Sequence, residues 1–491
     1  MIINREILTG CDPDGNVTKT ELISYVGADG TVKFLNYPIP KDWWFNWSYS
    51  KYGDRSADPY YRSWDGKPVT KRFLDDNRDI CENREHEILC SMVKAYPQMS
   101  VLYDMNIPTT AFIDIEVEVD GTGFPEPSKA QSPVTTISYV VGNVVTVFGR
   151  AVLTDDQISG IAKKVKEHTE RFGVDYTFIY KYYRNEYDML EDFFFNYVKN
   201  IPGLTGWNLF GFDWPYLYNR CKNIGLNIKN ISPTGKWTKH KVLKSEITAE
   251  IPMHKVIYDY LEIYKKWDRT VEVKENSTLD FVASAALGVT KVKHSLGFQD
   301  MWEQEPDNYV FYNAIDSVLV AELDKKIKTS KTMYALANLT HVDLLNNISP
   351  VRTIEIVQCE YAWMDGKVFP NVKNNAVKQD YEGAYVYPTI PGIYRNILAL
   401  DFNSLYPTTQ RQFNISPDTF IKKDKSYTPE ADEIKTVSGA VYKRNEKGLL
   451  PKILTDFYAK RKGFKKVMMA ADDEINYLEN VYERRTSKAM S

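Results

Sequence analysis

Ala111-Phe-Ile-Asp-Ile-Glu-Val-Glu-Val119 decides how this 491-residue chain is read. Apolar and acidic residues alternate through a β-branched run, which is the period of a strand. Successive strand side chains point to opposite faces, so Ile113, Ile115, Val117 and Val119 share one face and Asp114, Glu116 and Glu118 the other. Carboxylates side by side on a strand repel one another unless a cation lies between them. Two readings follow: a solvated strand face, as on the open side of an antiparallel sheet, or a divalent-metal site.

Composition narrows the frame around that stretch. The length allows about three domains, and 43% hydrophobic with 13% aromatic residues is enough to build their cores. A net charge of −3 excludes a uniformly basic coat for nucleic acid but leaves room for a local basic groove beside an acidic site. Cys11, Cys81, Cys90, Cys221 and Cys359 are scattered, without CxxC spacing, which argues against a zinc site or a disulfide frame and suits a reducing cytoplasm. The N-terminus has no apolar signal core, and no run approaches about 18 apolar residues, so no membrane association is expected.

The pattern along the chain predicts an α/β protein of the α+β multidomain kind. Residues 1–103 read as a β-rich N-terminal domain, with alternation at 7–9, 21–26 and 31–35 around the hairpin signals Asp14-Gly15 and Asp29-Gly30 and a helix at 85–96. From about residue 104 strands and helices mix, as in a layered domain. Strands are expected at 134–140, 144–148 and 204–209, helices at 187–198, 214–222, 277–287 and 307–325, and a basic, hairpin-like stretch at 230–250. Residues 330–372 are read as rejoining the first domain, and a further region starts near Asn374.

Two more acidic positions stand out. In Thr205-Gly-Trp-Asn-Leu-Phe-Gly-Phe-Asp213 a strand ends in a Gly-rich turn and Asp213 opens a helix. The helix dipole favours an acid there, so an N-cap is one reading. Asn208 and Phe212, a polar reader and a stacking surface suited to an unpaired base, support a site instead. In Tyr312-Asn-Ala-Ile-Asp316 the tyrosine and aspartate are i,i+4 neighbours on one helix face, with Phe311, Ile315, Val318 and Leu319 on another. Taken alone this could be a surface Tyr–Asp pair.

In this order, Asp114-x-Glu116, Asn208-x3-Phe212-Asp213 and Tyr312-x3-Asp316 resemble the three exonuclease motifs of family B DNA polymerases. The wording around them, including Gly123-Phe-Pro-Glu-Pro-Ser128, is similar to replicative polymerases of tailed phages. The resemblance implies an RNase-H-like 3′→5′ exonuclease domain over residues 104–329. Asp114, Glu116, Asp213 and Asp316 would hold two Mg²⁺ or Mn²⁺ ions, Tyr312 would orient the water or the scissile phosphate, and Phe212 with Asn208 would engage the frayed 3′ end. Phosphodiester hydrolysis needs an activated water and charge compensation at the leaving oxygen, which two hard cations on carboxylates supply. Lys291 and Lys293 are either phosphate contacts or solvated surface.

Farther on, Asn396-Ile-Leu-Ala-Leu-Asp401 reads as a buried strand ending in a carboxylate, then turning into a helix capped by Asn403 or Ser404. Asp401-Phe-Asn-Ser-Leu-Tyr-Pro407 resembles motif A of the family B palm, and Tyr381-Glu-Gly-Ala-Tyr385 the short motif linking exonuclease and palm. The resemblance implies a partial palm over 373–447 and the start of a fingers helix over 448–491. Asp401 would hold the two ions of a second site, the Ser404 and Leu405 N–H groups the triphosphate, and Tyr406 would lie under the incoming sugar. Arg461, within a 443–466 stretch holding nine Lys/Arg against two acids, would grip phosphate.

A fingers Lys and Tyr-Gly motif, a D-T-D motif and a thumb do not follow Arg461. The resemblance therefore implies the N-terminal part of a phage replicative polymerase, working in the host cytoplasm. It would act on primer–template and single-stranded DNA with deoxynucleoside triphosphates, through a complete proofreading exonuclease and an incomplete polymerase site. The amphipathic 474–485 stretch leads to the expectation of a second polymerase chain carrying the rest of the fingers, the D-T-D strand and the thumb, and through it a sliding clamp. The other class of reading is a non-catalytic, polymerase-derived DNA-binding or scaffolding subunit, disfavoured because all four exonuclease acids stand with Tyr312 and Phe212.

Overall fold

The computed structural model describes residues 1–40, 43, 45–50, 55–73, 84–119, 125–241, 248–267, 276–289, 291–292, 296–344, 348–369 and 388–490. Lys293, Gly123, Phe124 and the 381–385 motif lie outside the described residues. Contacts divide the chain into two units, residues 1–40 with 93–354 and residues 41–92 with 355–491.

The first unit opens with an antiparallel sheet of β1 (Ile2–Cys11), β2 (Val17–Val26) and β3 (Val32–Pro38). Its two turns carry Gly15 and Gly30 at φ of +81° and +73°, the left-handed backbone that glycine adopts without strain. The second unit takes up β4 (Phe45–Tyr49), β5 (Arg62–Ser63) and β6 (Val69–Phe73), which are followed by the helix α1 (Arg84–Ala95).

The first unit then builds a six-stranded sheet. β7 (Thr110–Val117), β8 (Val134–Val141) and β9 (Val144–Gly149) form a meander, and β10 (Thr177–Tyr182) lies parallel to β9 at the edge. β11 (Gly203–Gly206) runs parallel to β7 on its other side. A hairpin of β12 (Trp237–Lys241) and β13 (Thr248–Pro252) precedes β14 (Val256–Asp259), parallel to β11. The order β10-β9-β8-β7-β11-β14, with β8 alone antiparallel to its neighbours, is an RNase-H-like sheet.

Helices cover both faces. α2 (Asp155–Thr169), α5 (Tyr260–Trp267), α6 (Leu279–Leu287), α8 (Pro306–Ile327) and α9 (Thr329–Thr340) share one core with Val140, Val145, Val256 and Tyr258. α3 (Glu186–Asp192) and α4 (Asp213–Asn223) share the other with Ile113, Ile115, Ile137 and Leu204. α3 continues through a π-helical turn at Phe193–Val198. α7 (Phe298–Gln304) leads into α8, which is buried all round from Tyr309 to Leu323, so no amphipathic stripe announces its position.

This settles the first alternative. β7 is a central strand, its Ala111/Ile113/Ile115/Val117 face lies in one core, and α8 packs over the Asp114/Glu116 side. The acids are not a solvated strand face.

The helix Pro350–Met364 begins in the first unit and continues into the second, where its Val357 and Ala362 meet Leu449 and Ile453 at the start of the long helix Leu449–Met490. A small sheet of β15 (Lys367–Val368) with β5, and another of β16 (Phe420–Lys423), β17 (Glu433–Lys435) and β18 (Ala440–Lys443), complete the described part. Lys367 pairs with Asp418 at 2.6 Å, and Asp418 also accepts the Leu449 N–H, tying these pieces together.

One expectation fails here. Residues 396–401 form no strand, and Ile397, Leu398 and Leu400 are exposed. A strand exists only by pairing, and no described strand runs beside this segment; its apolar pattern remains without a ladder to join.

Candidate active site

β7 and α8 bring three carboxylates together. One oxygen each from Asp114, Glu116 and Asp316 lie within 4.8 Å of one another, at the floor of a cavity of about 1140 Å³ in the first unit. α8 is tied to β8 by Ser317 to Ser138 at 2.5 Å and Tyr309 to Thr135 at 2.8 Å, and to β7 by Asn313 Nδ2 donating to Asp114 Oδ2 at 2.9 Å. Tyr312, one turn before Asp316, lines the same cavity with its ring edge-on to Phe298.

The turn after β11 forms the opposite wall. Gly206 lies so close to β7 that a Cβ there would meet the Ile113 carbonyl oxygen at 2.5 Å. Asn208 turns the chain in the left-handed region at φ +59°, and Phe212 and Asp213 follow it into α4. Asp213 is not an N-cap. Phe212 holds that position, and Asp213 Oδ1 reaches across to accept the Ile115 N–H at 3.0 Å. Asp213, Asn208 and Phe212 line the cavity, but Asp213 stands outside the three-carboxylate cluster.

Electrostatics single out this floor. Burial first, and then the Asp316 charge, push Asp114 up to about 7. Burial and the neighbouring carboxylates likewise hold Glu116 and Asp213 well above the usual range. Burial also raises Asp316, against the pull of Lys291. Lys291 Nζ lies 2.5 Å from Asp316 Oδ2 and 3.3 Å from the Tyr312 hydroxyl. Burial disfavours its charge, but Asp316 and Asp114 hold the ammonium above its ordinary range. Lys291 is therefore no solvated surface lysine.

The donor set fits divalent ions. It consists of hard carboxylate oxygens from two elements, and Asp316 Oδ1 is buried without a hydrogen-bond partner, the kind of orphaned acceptor that a cation satisfies. An acid whose folded pKa lies above its unfolded value lowers stability as pH rises from the unfolded value to the folded one. Asp114 alone, moving from 3.8 to about 7, makes that window span those values. In EDTA, Asp114→Asn/Glu116→Gln is expected to melt several degrees above the parent at about pH 8, with the gap closing towards about pH 5. Mg²⁺ should raise the parent's Tm and leave the variant's unchanged; thermal scans across pH check both.

Two features escaped sequence reasoning. Asn313, inside the Tyr312–Asp316 motif, grips Asp114; a polar residue of poor helix propensity in mid-helix was the available signal. Glu118, on the acidic face by alternation, leaves the cluster and pairs with Arg150 at 2.9 Å.

The residues expected in the second site lie mostly at the surface. Asp401, Tyr406 and Arg461 are exposed. Ser404, at φ +52°, starts the helix Leu405–Gln412 without a side-chain cap bond, and Asn403 donates to the Tyr458 hydroxyl at 3.1 Å.

Residues 74–270 match the family model for the exonuclease domain of DNA polymerase family B, and residues 352–486 match the model for DNA polymerase family B itself. The chain is 28% identical over 453 residues to the DNA-directed DNA polymerase of Escherichia phage RB69, covering 83% of this chain and 49% of that protein. It is 27% identical over 409 residues to that of Enterobacteria phage T4, covering 76% and 44%. To the DNA polymerase of Archaeoglobus fulgidus it is 25% identical over 453 residues, covering 89% and 50%. The chain spans about half the length of these curated relatives.

Proposed function

The chain belongs to DNA polymerase family B, and from that premise we propose that it removes nucleotides 3′→5′ from single-stranded DNA and supplies part of a polymerase site. The observation that carries the exonuclease reading is the convergence of Asp114, Glu116 and Asp316 beside Tyr312. These carboxylates and Asp213 would hold two Mg²⁺ or Mn²⁺ ions, which would supply Lewis acidity and make the attacking water more acidic. Water oxygen bonds to phosphorus, the P–O3′ bond breaks, and the products are a 5′-mononucleotide and a strand shorter by one. The Tyr312 hydroxyl donates to the scissile phosphate or its attacking water, and Lys291 exchanges Asp316 for phosphate charge. The test is a 5′-labelled oligonucleotide, shortened from its 3′ end with Mg²⁺ and intact with EDTA.

Phe212 and Asn208, on the cavity wall, meet the terminal base. A mismatched end has already lost part of its stacking energy, so it costs less to draw into the cavity. Hydrolysis of a mismatched primer terminus is expected to be faster than that of a paired one, by about tenfold for a difference of about 1.4 kcal/mol in melting. The preference should shrink in Phe212→Ala; equal rates on both primers in the parent would remove the aromatic contact from the mechanism.

In the second unit, Asp401 is a metal ligand, the N–H groups of Ser404 and Leu405 meet the triphosphate, Tyr406 underlies the sugar and Arg461 contacts phosphate. Further polypeptide, in one chain or a second one, brings the D-T-D strand, the remaining fingers and the thumb, and any clamp contact. Among the described residues no helix is long and apolar enough to cross a membrane, and the proposed place of work is DNA in the host cytoplasm.

A further inference from the structure

A second cavity, of about 460 Å³, lies in the first unit and shares no lining residue with the carboxylate cavity. Its walls come from the far end of α4, the turn that follows, and the first residue of β12: Tyr218, Lys222, Leu226, Ile228, Lys229 and Trp237. Tyr218 and Lys222 are i,i+4 neighbours on α4. Lys222 follows Asp213 by nine residues, which is half a turn round the helix and about 13 Å along it. The cavity is thus on the side of α4 away from Asp213.

The aromatic wall is fixed in place. The Trp237 indole N–H donates to the Lys229 carbonyl at 3.3 Å. Its ring stacks on Trp214 at 6.4 Å and leans on Tyr218 at 5.4 Å. Leu226 and Ile228 are each 5% exposed and form the apolar floor. Gly225 and Gly235, at φ of +76° and +69°, make the tight turns that fold this segment round the cavity.

Charge is the second, independent observation. Residues 222–241 contain five lysines and no Asp or Glu, in a chain of net charge −3. Lys236 and Lys239 are engaged by Glu6 and Glu250. Among the described residues no carboxylate forms an ion pair with Lys222 or Lys229, and both are exposed at the rim. An inorganic anion would leave the Trp237 wall unused, and an apolar ligand would leave the cations unused. A flat base joined to a phosphate uses both, because stacking on an aromatic face tolerates any base and the ammonium groups meet the phosphate oxygens. We propose that this cavity is a nucleotide-binding site separate from the exonuclease centre, taking the base against Trp237 and the phosphate on Lys222 and Lys229. The ligand chemistry is the same for a free mononucleotide and for one unit of a DNA strand.

The test uses the full chain carrying Asp114→Ala/Glu116→Ala in EDTA, so that DNA stays intact and the result stands apart from the exonuclease reading. Isothermal titration with dAMP, inorganic phosphate and a twelve-residue oligothymidylate is compared with the same chain also carrying Lys222→Gln/Lys229→Gln. Both lysines are exposed, and circular dichroism verifies the fold. The lysine pair should weaken the nucleotide-bearing ligand at least about tenfold, and lower the salt slope of oligonucleotide binding by about 1.4. Lys222→Arg/Lys229→Arg should keep both. Loss with dAMP identifies a free-nucleotide site, and loss with the oligonucleotide alone identifies a strand-binding site. Unchanged binding of both ligands, or phosphate bound as tightly as dAMP, overturns the proposal.

Discussion

Replacing Asp114 and Glu116 together by alanine is expected to lower 3′→5′ hydrolysis of single-stranded DNA by about a thousandfold or more in Mg²⁺. The two carboxylates alternate with Ile113 and Ile115 on the central strand β7, and with Asp316 they form the one group of three or more metal-competent side chains among the described residues. Losing both leaves Asp316, held by Lys291 at 2.5 Å, as the remaining member. One lost electrostatic contact to a developing charge already costs about a hundredfold to a thousandfold. The fold should survive, because burial and mutual repulsion make these charges a liability in the metal-free protein. The measurement is single-turnover decay of a 5′-labelled strand, with circular dichroism as the control. A folded double variant that keeps more than about a tenth of the parent rate places the chemistry elsewhere.

The part of this site that was legible in the sequence is the part encoded by local period. Alternation from residue 111 to 119 identifies a strand and sorts its faces, and the i,i+4 spacing of Tyr312 and Asp316 places both on one side of a helix. What alternation cannot encode is what lies across the face. A central strand and an open edge strand can carry the same pattern, and only the packing of α8 over Asp114 decides between them. Lys291 reaches Asp316 across 25 residues, so its pairing is a product of tertiary structure. α8 itself is buried on every side and lacks the stripe by which helices are usually found.

Residues 396–401 illustrate the opposite limit. Ile397, Leu398 and Leu400 are 75%, 81% and 85% exposed, although the pattern there is that of a buried strand. The local sequence specifies an ability to pair, and a sheet forms only where a neighbouring strand offers its N–H and C=O groups. The same distinction separates the two proposed sites. In the exonuclease each carboxylate has its partners within one unit, whereas Asp401 belongs to no cluster of three or more metal-competent side chains among the described residues.

That difference sets the last expected result. Given primer–template, deoxynucleoside triphosphates and Mg²⁺, the 491-residue chain should yield no extension product under conditions in which it shortens single-stranded DNA. Two-metal nucleotidyl transfer needs carboxylates on both sides of the ion pair. Here Asp401 stands exposed on an unpaired segment, and Tyr406 is 72% exposed instead of packed beneath a sugar. On the long helix Leu449–Met490 Arg461 is exposed, as are Phe464, Val467 and Met468 beside it. A strand bearing the D-T-D carboxylates, laid beside 396–401, would pair that segment and cover its apolar residues. A second helix along Leu449–Met490 would do the same for Phe464, Val467 and Met468. The experiment is primer extension with and without a polypeptide supplying those elements. Its addition should switch synthesis on, Asp401→Ala should switch it off again, and the exonuclease rate should be indifferent to that substitution. Extension by the 491-residue chain alone would show that Asp401 finds its metal ligands by some other arrangement.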